Sequence, residues 1–273
     1  MDQTLAPGLY IVATPIGNLG DISARAIATL RGVVAVACED TRVAGKLLHH
    51  LNIKQRLIRY DDHADAAARD GLLALAAREA VALVSDAGTP LISDPGYALV
   101  REARARGIGV YGVPGPSAAV TALSIAGLPS DRFLFAGFLP SKTKARSDVL
   151  AELGAVRATL VFYETAPRLA AALAAIGEVL PGREVVVARE LTKRFEECRS
   201  GTPAELIAHY AAHPPKGEIV LLVGPPGPAQ VRLDDVEHLL CTALRTLKPS
   251  QAAGKWRGPQ GLIANNFMPA LWR

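Results

Sequence analysis

Short apolar runs alternate with Ala/Leu-rich segments along most of the chain, and this alternation constrains the fold more than any other feature. The strand-sized runs are residues 9–13, 33–37, 81–84, 108–113, 133–138, 159–163, 184–188 and 218–223. Helices are predicted over residues 24–30, 44–51, 64–78, 117–126, 167–180 and 204–212. Ser23 is suited to cap the first helix, because its hydroxyl can accept a bond from a free backbone N–H. Strands that alternate with helices are typical of α/β architecture with largely buried sheets.

Glycine and proline residues, which interrupt helices and strands, cluster at residues 115–129. This stretch lies between two complete sets of strands and helices. We therefore expect an N-terminal α/β domain over residues 1–116 and a second α/β domain over residues 117–226. Residues 227–273 are expected to form a Pro/Gly linker, a helix over 234–247 and an atypical C-terminal tail. The predicted fold class is α/β, with two α/β domains, mostly parallel or mixed sheets and a ligand cleft between the domains.

Composition excludes several classes of protein. Half of the residues are hydrophobic and 21% are charged, which excludes disorder as the main state. No apolar stretch approaches the roughly 20 residues of a membrane-spanning helix, and no secretory signal precedes residue 9. The three cysteines are far apart, which argues against a disulfide framework and fits a reducing cytoplasm. The net charge of +4 is matched by the basic residues of 248–273, so charge alone does not predict that the rest of the chain binds nucleic acid.

Three loops rich in glycine and proline follow strands in the first half, at residues 14–21, 85–94 and 114–117. In open α/β sheets, ligands bind at the edge formed by the carboxyl ends of the strands, where helix N-termini and free backbone amides lie close together. Each loop alone reads as a turn, but three in succession favour a small-molecule site. None is a GxGxxG or GxxxxGK[ST] phosphate loop, and the histidines have no metal-ligand spacing, so no metal is predicted.

Carboxylates follow several strands and are candidates for accepting a proton. The sequence does not choose among the weak candidates, which are Asp40, Asp86, Glu164 and Glu190. Asp86 and Asp94 are interpreted either as a catalytic pair or as ordinary turn-forming residues. The charged groups after the strands form either a solvated rim or a polar cleft.

Seven motifs, in order, carry a resemblance to a known family. They are LYIVATPIGNL (9–19), EDTR (39–42), SDAGTPLISDPG (85–96), PGPS (114–117), FYE (162–164), ARELTK (188–193) and KGE (216–218). They resemble the small-subunit ribosomal RNA methyltransferases of the tetrapyrrole methylase-like class, which use S-adenosylmethionine (SAM). The resemblance implies SAM in a cleft between two α/β domains, a homodimer and a cytoplasmic enzyme. It implies 2′-O-methylation of a cytidine in the decoding centre of 16S rRNA, within the small ribosomal subunit, and no membrane partner.

The resemblance also implies site residues at matching positions. SAM is expected to contact Pro15, Ile16, Asp86, Ala87, Gly88, Thr89, Ile92, Ser117, Ala118, Tyr163, Leu191 and Pro225. RNA phosphates are expected to contact Arg42, Lys142, Lys144, Arg146, Arg168 and Lys193, although each is also interpretable as a solvated surface charge.

Two alternative functions stay open at this point. One is a tetrapyrrole methylase of the precorrin or uroporphyrinogen type on the same scaffold, since fold alone does not fix the substrate. The other is a SAM-binding protein that docks on ribosomes without catalysis. After residues 250–253 the sequence departs from the family pattern, so residues 254–273 are not expected to form the family's small helical domain.

Overall fold

Two five-stranded sheets, one after the other along the chain, form the framework of the protein. The structure, a computed structural model, describes residues 5–61 and 66–227. The described residues up to Pro226 belong to one compact unit, which contains both sheets. The predicted helix over 234–247 and the tail over 254–273 lie outside the described residues.

The first sheet is entirely parallel. Its strands are β1 (Gly8–Val12), β2 (Ala35–Cys38), β3 (Arg56–Arg59), β4 (Ala80–Leu83) and β5 (Val110–Val113), in the order β3-β2-β4-β1-β5. Its helices are α1 (Ala24–Gly32), α2 (Thr41–His50), α3 (Ala66–Ala76) and α4 (Tyr97–Ala105). Because every strand points the same way, the loops after all five strands emerge at one edge.

Helices cover both faces of the first sheet. Along β1, Tyr10 and Val12 pack with α1 and α2 on one face, while Leu9 packs with α3 and α4 on the other. This period-2 alternation is what a strand between two apolar layers requires. Ser23 accepts a hydrogen bond from the Ala26 backbone N–H at 3.0 Å, which confirms the predicted cap of α1.

The second sheet is mixed. Its strands are β6 (Phe133–Phe138), β7 (Thr159–Thr165), β8 (Val185–Arg189), β9 (Glu197–Gly201) and β10 (Glu218–Val223), in the order β6-β7-β10-β8-β9. Its helices are α5 (Ala118–Ile125), α6 (Thr143–Gly154), α7 (Leu169–Val179) and α8 (Pro203–Ala212). Only the β6–β7 pair is parallel. Since β10 runs antiparallel to β7 and β8, the start of β10 lies beside the ends of both neighbours.

Both faces of the second sheet are also buried. Phe162 packs with α6, α7 and α8 on one face, whereas Val161 and Val220 pack with α5 on the other. Ile16, from the loop after β1, belongs to this second apolar cluster. The first sheet therefore reaches the second through the loop that follows β1, an interior strand.

The predicted α/β class, with mostly parallel or mixed sheets, is confirmed: the first sheet is parallel and the second is mixed. Two strands were not predicted: β3 has arginine at both ends, and β9 is almost wholly polar, so neither is an apolar run. The sequence analysis placed no helix between the strands of residues 133–138 and 159–163, and this is wrong, because α6 begins directly after Lys142. The domain boundaries at residues 116 and 226 stay predictions.

Candidate functional site

Backbone hydrogen bonds join the loops after β1 and β4. Thr14 and Gly88 form a β-bridge in which each backbone N–H donates to the other carbonyl, at 2.9 and 3.1 Å. The Thr14 hydroxyl also donates to the Ser85 carbonyl at 3.1 Å. In the same way the Thr89 hydroxyl donates to the carbonyl of Pro116 at 3.0 Å, which adds the loop after β5. Three loops that are far apart in the sequence thus become one surface.

Both the backbone conformation and the space at Gly88 favour glycine. Its φ of +82° is a conformation that side chains rarely adopt. A Cβ at this position would lie 3.3 Å from Cγ2 of Ile16. Leu91 and Ser93, which follow in the same loop, also have positive φ angles, of 73° and 65°. The loop is therefore held in a conformation that local preferences disfavour.

A cavity of about 360 Å³, called here the first cavity, lies between these loops and the second sheet. Its walls are mainly aliphatic and aromatic side chains, with a few polar groups, as in pockets for small organic ligands. It is lined by Ile16, Ala87, Thr89, Ile92, Ser93, Asp94, Ala118, Phe138, Tyr163, Glu164, Thr165, Leu191, Gly217, Glu218, Ile219 and Val220.

Most of the residues expected at the cofactor site line this cavity. These are Ile16, Ala87, Thr89, Ile92, Ala118, Tyr163 and Leu191. Three others are next to it without lining it: Pro15 precedes Ile16, Gly88 forms the bridge, and Ser117 is the N-cap of α5. Asp86 lines a different cavity.

Pro225 lies at the wrong end of its strand for a contact with the cavity. Residues 217–220, at the start of β10, line the cavity, and Pro225 lies five residues beyond them. At about 3.3 Å per residue, that distance is roughly 16 Å. The expectation for Pro225 assumed that the end of the strand meets the site, which holds for a parallel strand and not for an antiparallel one.

A second cavity, of about 370 Å³, lies at the ends of β2 and β4 and is lined almost wholly by charged side chains. Its lining residues are Glu39, Asp40, Thr41, Arg42, Arg59 and Asp86. Asp40 caps α2 and forms an ion pair with Arg42 at 2.6 Å. Hydrogen bonds from the Arg42 side chain and backbone hold the pKa of the Asp40 carboxyl well below its usual range.

Two of the other expected carboxylates, Glu164 and Glu190, are also engaged by cations. Glu164 is buried, accepts a bond from the Thr165 backbone N–H at 2.9 Å and lies 3.1 Å from Nε of Arg168. Burial opposes ionisation of Glu190, but bonds from Lys193 and from the Glu218 backbone outweigh it and lower its pKa.

Asp94 lines the first cavity, and its pKa is shifted upwards, whereas the pKa values of Asp40 and Glu190 are lowered. Burial first, then the neighbouring Glu39, and also Asp86 raise the pKa of Asp94 to about 6, against a hydrogen bond from Ser85. The sequence singled out Asp94 only as a partner of Asp86. The sequence feature that pointed to Asp94 as a site residue was its position in the loop of residues 85–96. That Asp94 lines a cavity is not visible in the sequence.

The basic residues expected to contact RNA divide into exposed and buried groups. Lys142 and Lys144 are exposed at the start of α6, and Arg42 is exposed at the start of α2. Lys193 is bonded to both Glu190 and Glu218, and Arg168 donates to the carbonyl of Leu139.

Arg146 is buried, with 6% of its surface exposed. Its guanidinium donates to the carbonyls of Pro140 and Ser141, so the structure gives it a role in holding the β6–α6 loop and not a place on the surface.

Over residues 5–61 and 66–227, no group of three or more His, Cys, Asp or Glu side chains could hold a metal ion. No helix within those same ranges is long and apolar enough to cross a membrane.

Comparison with known proteins gives one family and one set of relatives. The family described as Tetrapyrrole (Corrin/Porphyrin) Methylases matches residues 8–207. A protein of Erythrobacter litoralis (strain HTCC2594) named "Ribosomal RNA small subunit methyltransferase I" is 63% identical over 260 residues, covering 95% of this chain and 92% of that protein. The protein of the same name from Escherichia coli O157:H7 is 49% identical over 248 residues, covering 89% and 85%.

Two solved structures share the fold at lower identity. Uroporphyrin-III-C-methyltransferase from Thermus thermophilus superposes with a TM-score of 0.56 at 24% identity, over 80% of this chain and 94% of that one. Diphthine synthase superposes with a TM-score of 0.63 at 14% identity, over 79% and 89%. At these identities the likeness concerns the fold alone.

The buried position of Arg146 leads to a testable difference from its exposed neighbour. Arg146→Ala is expected to lower the free energy of unfolding by about 1–3 kcal/mol, because the β6–α6 loop loses two hydrogen bonds from a buried side chain. Lys144→Ala removes only an exposed ion pair with Asp148 and should leave that free energy nearly unchanged. Urea unfolding of both variants measures this difference. Equal, small effects would contradict the structural role given to Arg146.

Proposed function

The chain belongs to the tetrapyrrole methylase family and to its ribosomal RNA small subunit methyltransferase I group, and we propose that it methylates the ribose 2′-hydroxyl of a cytidine in the decoding centre of 16S rRNA, with SAM as the methyl donor. The observation that carries this proposal is identity of 45–63% to relatives of one name, over most of the chain. The structure named for a uroporphyrin substrate is only 24% identical.

The first cavity supports SAM as the ligand. Its volume of about 360 Å³ falls within the roughly 300–1,000 Å³ of small-molecule pockets. Gly88 brings backbone close to the cavity wall at a position that a Cβ would crowd. Ile16, Leu191 and Tyr163 offer apolar surface to a heterocycle, while Thr89 and Ser93 add polar groups. SAM, when bound, supplies an activated methyl group on a sulfonium, so the protein has mainly to orient donor and acceptor.

The second cavity supports a nucleotide as the acceptor. Arg42 and Arg59 provide guanidinium groups that can pair with phosphate. Glu39 and Asp86 provide carboxylates, which accept hydrogen bonds from the exocyclic amine of cytosine. A polar cavity next to an apolar one suits an enzyme that brings an RNA nucleotide to a small cofactor.

Assembly and location follow from the same resemblance. We propose a homodimer that acts in the cytoplasm, where small ribosomal subunits are assembled. Sedimentation of the purified protein measures its oligomeric state. A monomer would contradict the proposed homodimer without changing the proposed reaction.

Incubation with radiolabelled SAM tests the proposed reaction directly. The acceptors are small ribosomal subunits, free 16S rRNA and uroporphyrinogen. We expect label in 16S rRNA, at an alkali-resistant cytidine, since a methylated 2′-oxygen blocks backbone hydrolysis. Label in uroporphyrinogen would establish the tetrapyrrole alternative instead, and SAM binding without transfer to any acceptor would establish a non-catalytic role.

The cofactor loop provides a second test. Gly88→Val is expected to weaken SAM binding roughly tenfold or more, because a branched side chain at a positive φ costs about 1–3 kcal/mol and displaces Ile16. Calorimetry on the folded variant measures the affinity. Gly71→Val is the matched control, since no atom lies within 4 Å of a Cβ there. Undiminished affinity of Gly88→Val would remove this loop from the site.

The exposed lysines of α6 provide a third test. Lys142→Ala combined with Lys144→Ala should weaken binding to small ribosomal subunits while leaving SAM affinity unchanged. If both lysines contact phosphates, the slope of log affinity against log salt falls by about 0.7–0.9 per contact. Arg78→Ala with Arg104→Ala, two exposed residues of the first half, is the control. An unchanged slope would show that the lysines form only a solvated surface.

A further inference from the structure

Asp94 lies where the two cavities meet. Its carboxylate lines the first cavity. It interacts electrostatically with Glu39 and Asp86, which line the second cavity. Its charge also acts on Tyr163, which lines the first cavity from β7. Asp94 is therefore close enough to residues of both cavities to interact with their charges.

The backbone around Asp94 is fixed in an unusual conformation. Ser93, directly before it, has a φ of 65°. A Cβ on Gly137 would lie 3.2 Å from Oγ of Ser93, so the loop abuts β6 of the second sheet at this point. Ser85, which follows β4, is close enough to the Asp94 carboxyl to lower its pKa. These restraints hold the carboxylate at one position on the cavity wall.

The carboxylates that line the first cavity are Asp94, Glu164 and Glu218, and they differ in their partners. Glu164 forms an ion pair with Arg168, and Glu218 forms one with Lys193. No ion pair within the described residues engages Asp94, and the charged groups that act on it, Glu39 and Asp86, are both acidic. A carboxylate without a cation holds a proton more readily than one that is paired.

We propose that Asp94 is the general base of the methyl transfer, accepting the proton of the ribose 2′-hydroxyl as its oxygen attacks the methyl group. This assignment rests on the proposed function. The oxygen–carbon bond forms while the carbon–sulfur bond breaks, and the electron pair of that bond stays on sulfur. The proton moves from the hydroxyl to an Oδ of Asp94 and leaves to solvent after the transfer.

The environment of Asp94 suits this proton transfer. A base works best when its pKa is close to the working pH. Burial and the carboxylates of Glu39 and Asp86 raise the pKa of Asp94 to about 6, while Ser85 opposes the shift and Tyr163 faces it from the second sheet. Asp94 is therefore ionised near neutral pH yet more basic than an ordinary aspartate.

Single-turnover kinetics of Asp94→Asn and Asp94→Glu test the assignment, with small ribosomal subunits as the acceptor. Asp94→Asn should slow methyl transfer by about 10²–10⁴-fold, while SAM affinity by calorimetry stays within a few-fold. Asp94→Glu keeps a carboxylate and should retain more of the rate. In the wild-type protein the rate should rise with pH through about 6 and then level off, because protonated Asp94 cannot accept a proton; this limb should vanish in Asp94→Asn.

A measurement without turnover accompanies the kinetics. In protein labelled with ¹³C at aspartate carboxyls, one resonance should titrate near pH 6 and be missing in Asp94→Asn. Asp131→Asn, in an exposed loop, is the matched control and should keep the rate and the pH profile.

Two outcomes would separate this assignment from the proposed function. Wild-type rate and an unchanged pH limb in Asp94→Asn would overturn the role of Asp94 and leave the function standing. Absence of any transfer to 16S rRNA by the wild-type protein would overturn the proposed function, and this assignment with it.

Discussion

The backbone bridge between Thr14 and Gly88 is the constraint on which the rest of the site depends. It joins the loops after two neighbouring strands and places Ile16 where it can pack into the apolar cluster of the second sheet. The same loop then forms part of the wall of the first cavity. A bond between two backbone groups does not depend on side-chain identity, but it demands a chain that can turn at Gly88 with a positive φ. Much of the small-residue composition of residues 85–96 follows from this demand.

The direction of the strands explains which parts of the site were predictable from the sequence. In the parallel first sheet, the end of every strand meets the site, so the loops after β1, β4 and β5 were identified from turn residues alone. In the mixed second sheet, β7 and β8 end at the site while β10 begins there. A sequence shows where an apolar strand lies but not which way it runs beside its neighbours. For this reason residues 217–220 were not expected at the site and Pro225 was.

Strands and helices that lack an apolar sequence pattern were also not predictable from the sequence. The edge strand β9 is almost wholly polar, and β3, also an edge strand, begins and ends with arginine. An edge strand needs to bury little, so its composition resembles that of a loop. In α6 the basic start at Lys142 and Lys144 concealed a helix whose buried side includes Arg146 and Leu150. Burial of an arginine depends on carbonyls supplied by another segment, here Pro140 and Ser141, and that pairing is a tertiary property.

The distribution of ion pairs separates the groups that hold the site from those that can act on a substrate. Arg168 donates to the Leu139 carbonyl and pairs with the buried Glu164, so its removal would leave an uncompensated charge in the interior. Arg42 and Lys144 instead have exposed side chains, and they pair with Asp40, the N-cap residue of α2, and with Asp148 of α6. Exposed pairs of this kind contribute little to stability, so these cations can exchange a carboxylate for an RNA phosphate at small cost. Asp94 differs from both groups, since its neighbours are acids and a proton is the partner that relieves their repulsion. The site therefore pairs Asp40, Glu164 and Glu190 with cations, whereas Asp94, which lines the first cavity, has no ion pair among the residues that the structure describes.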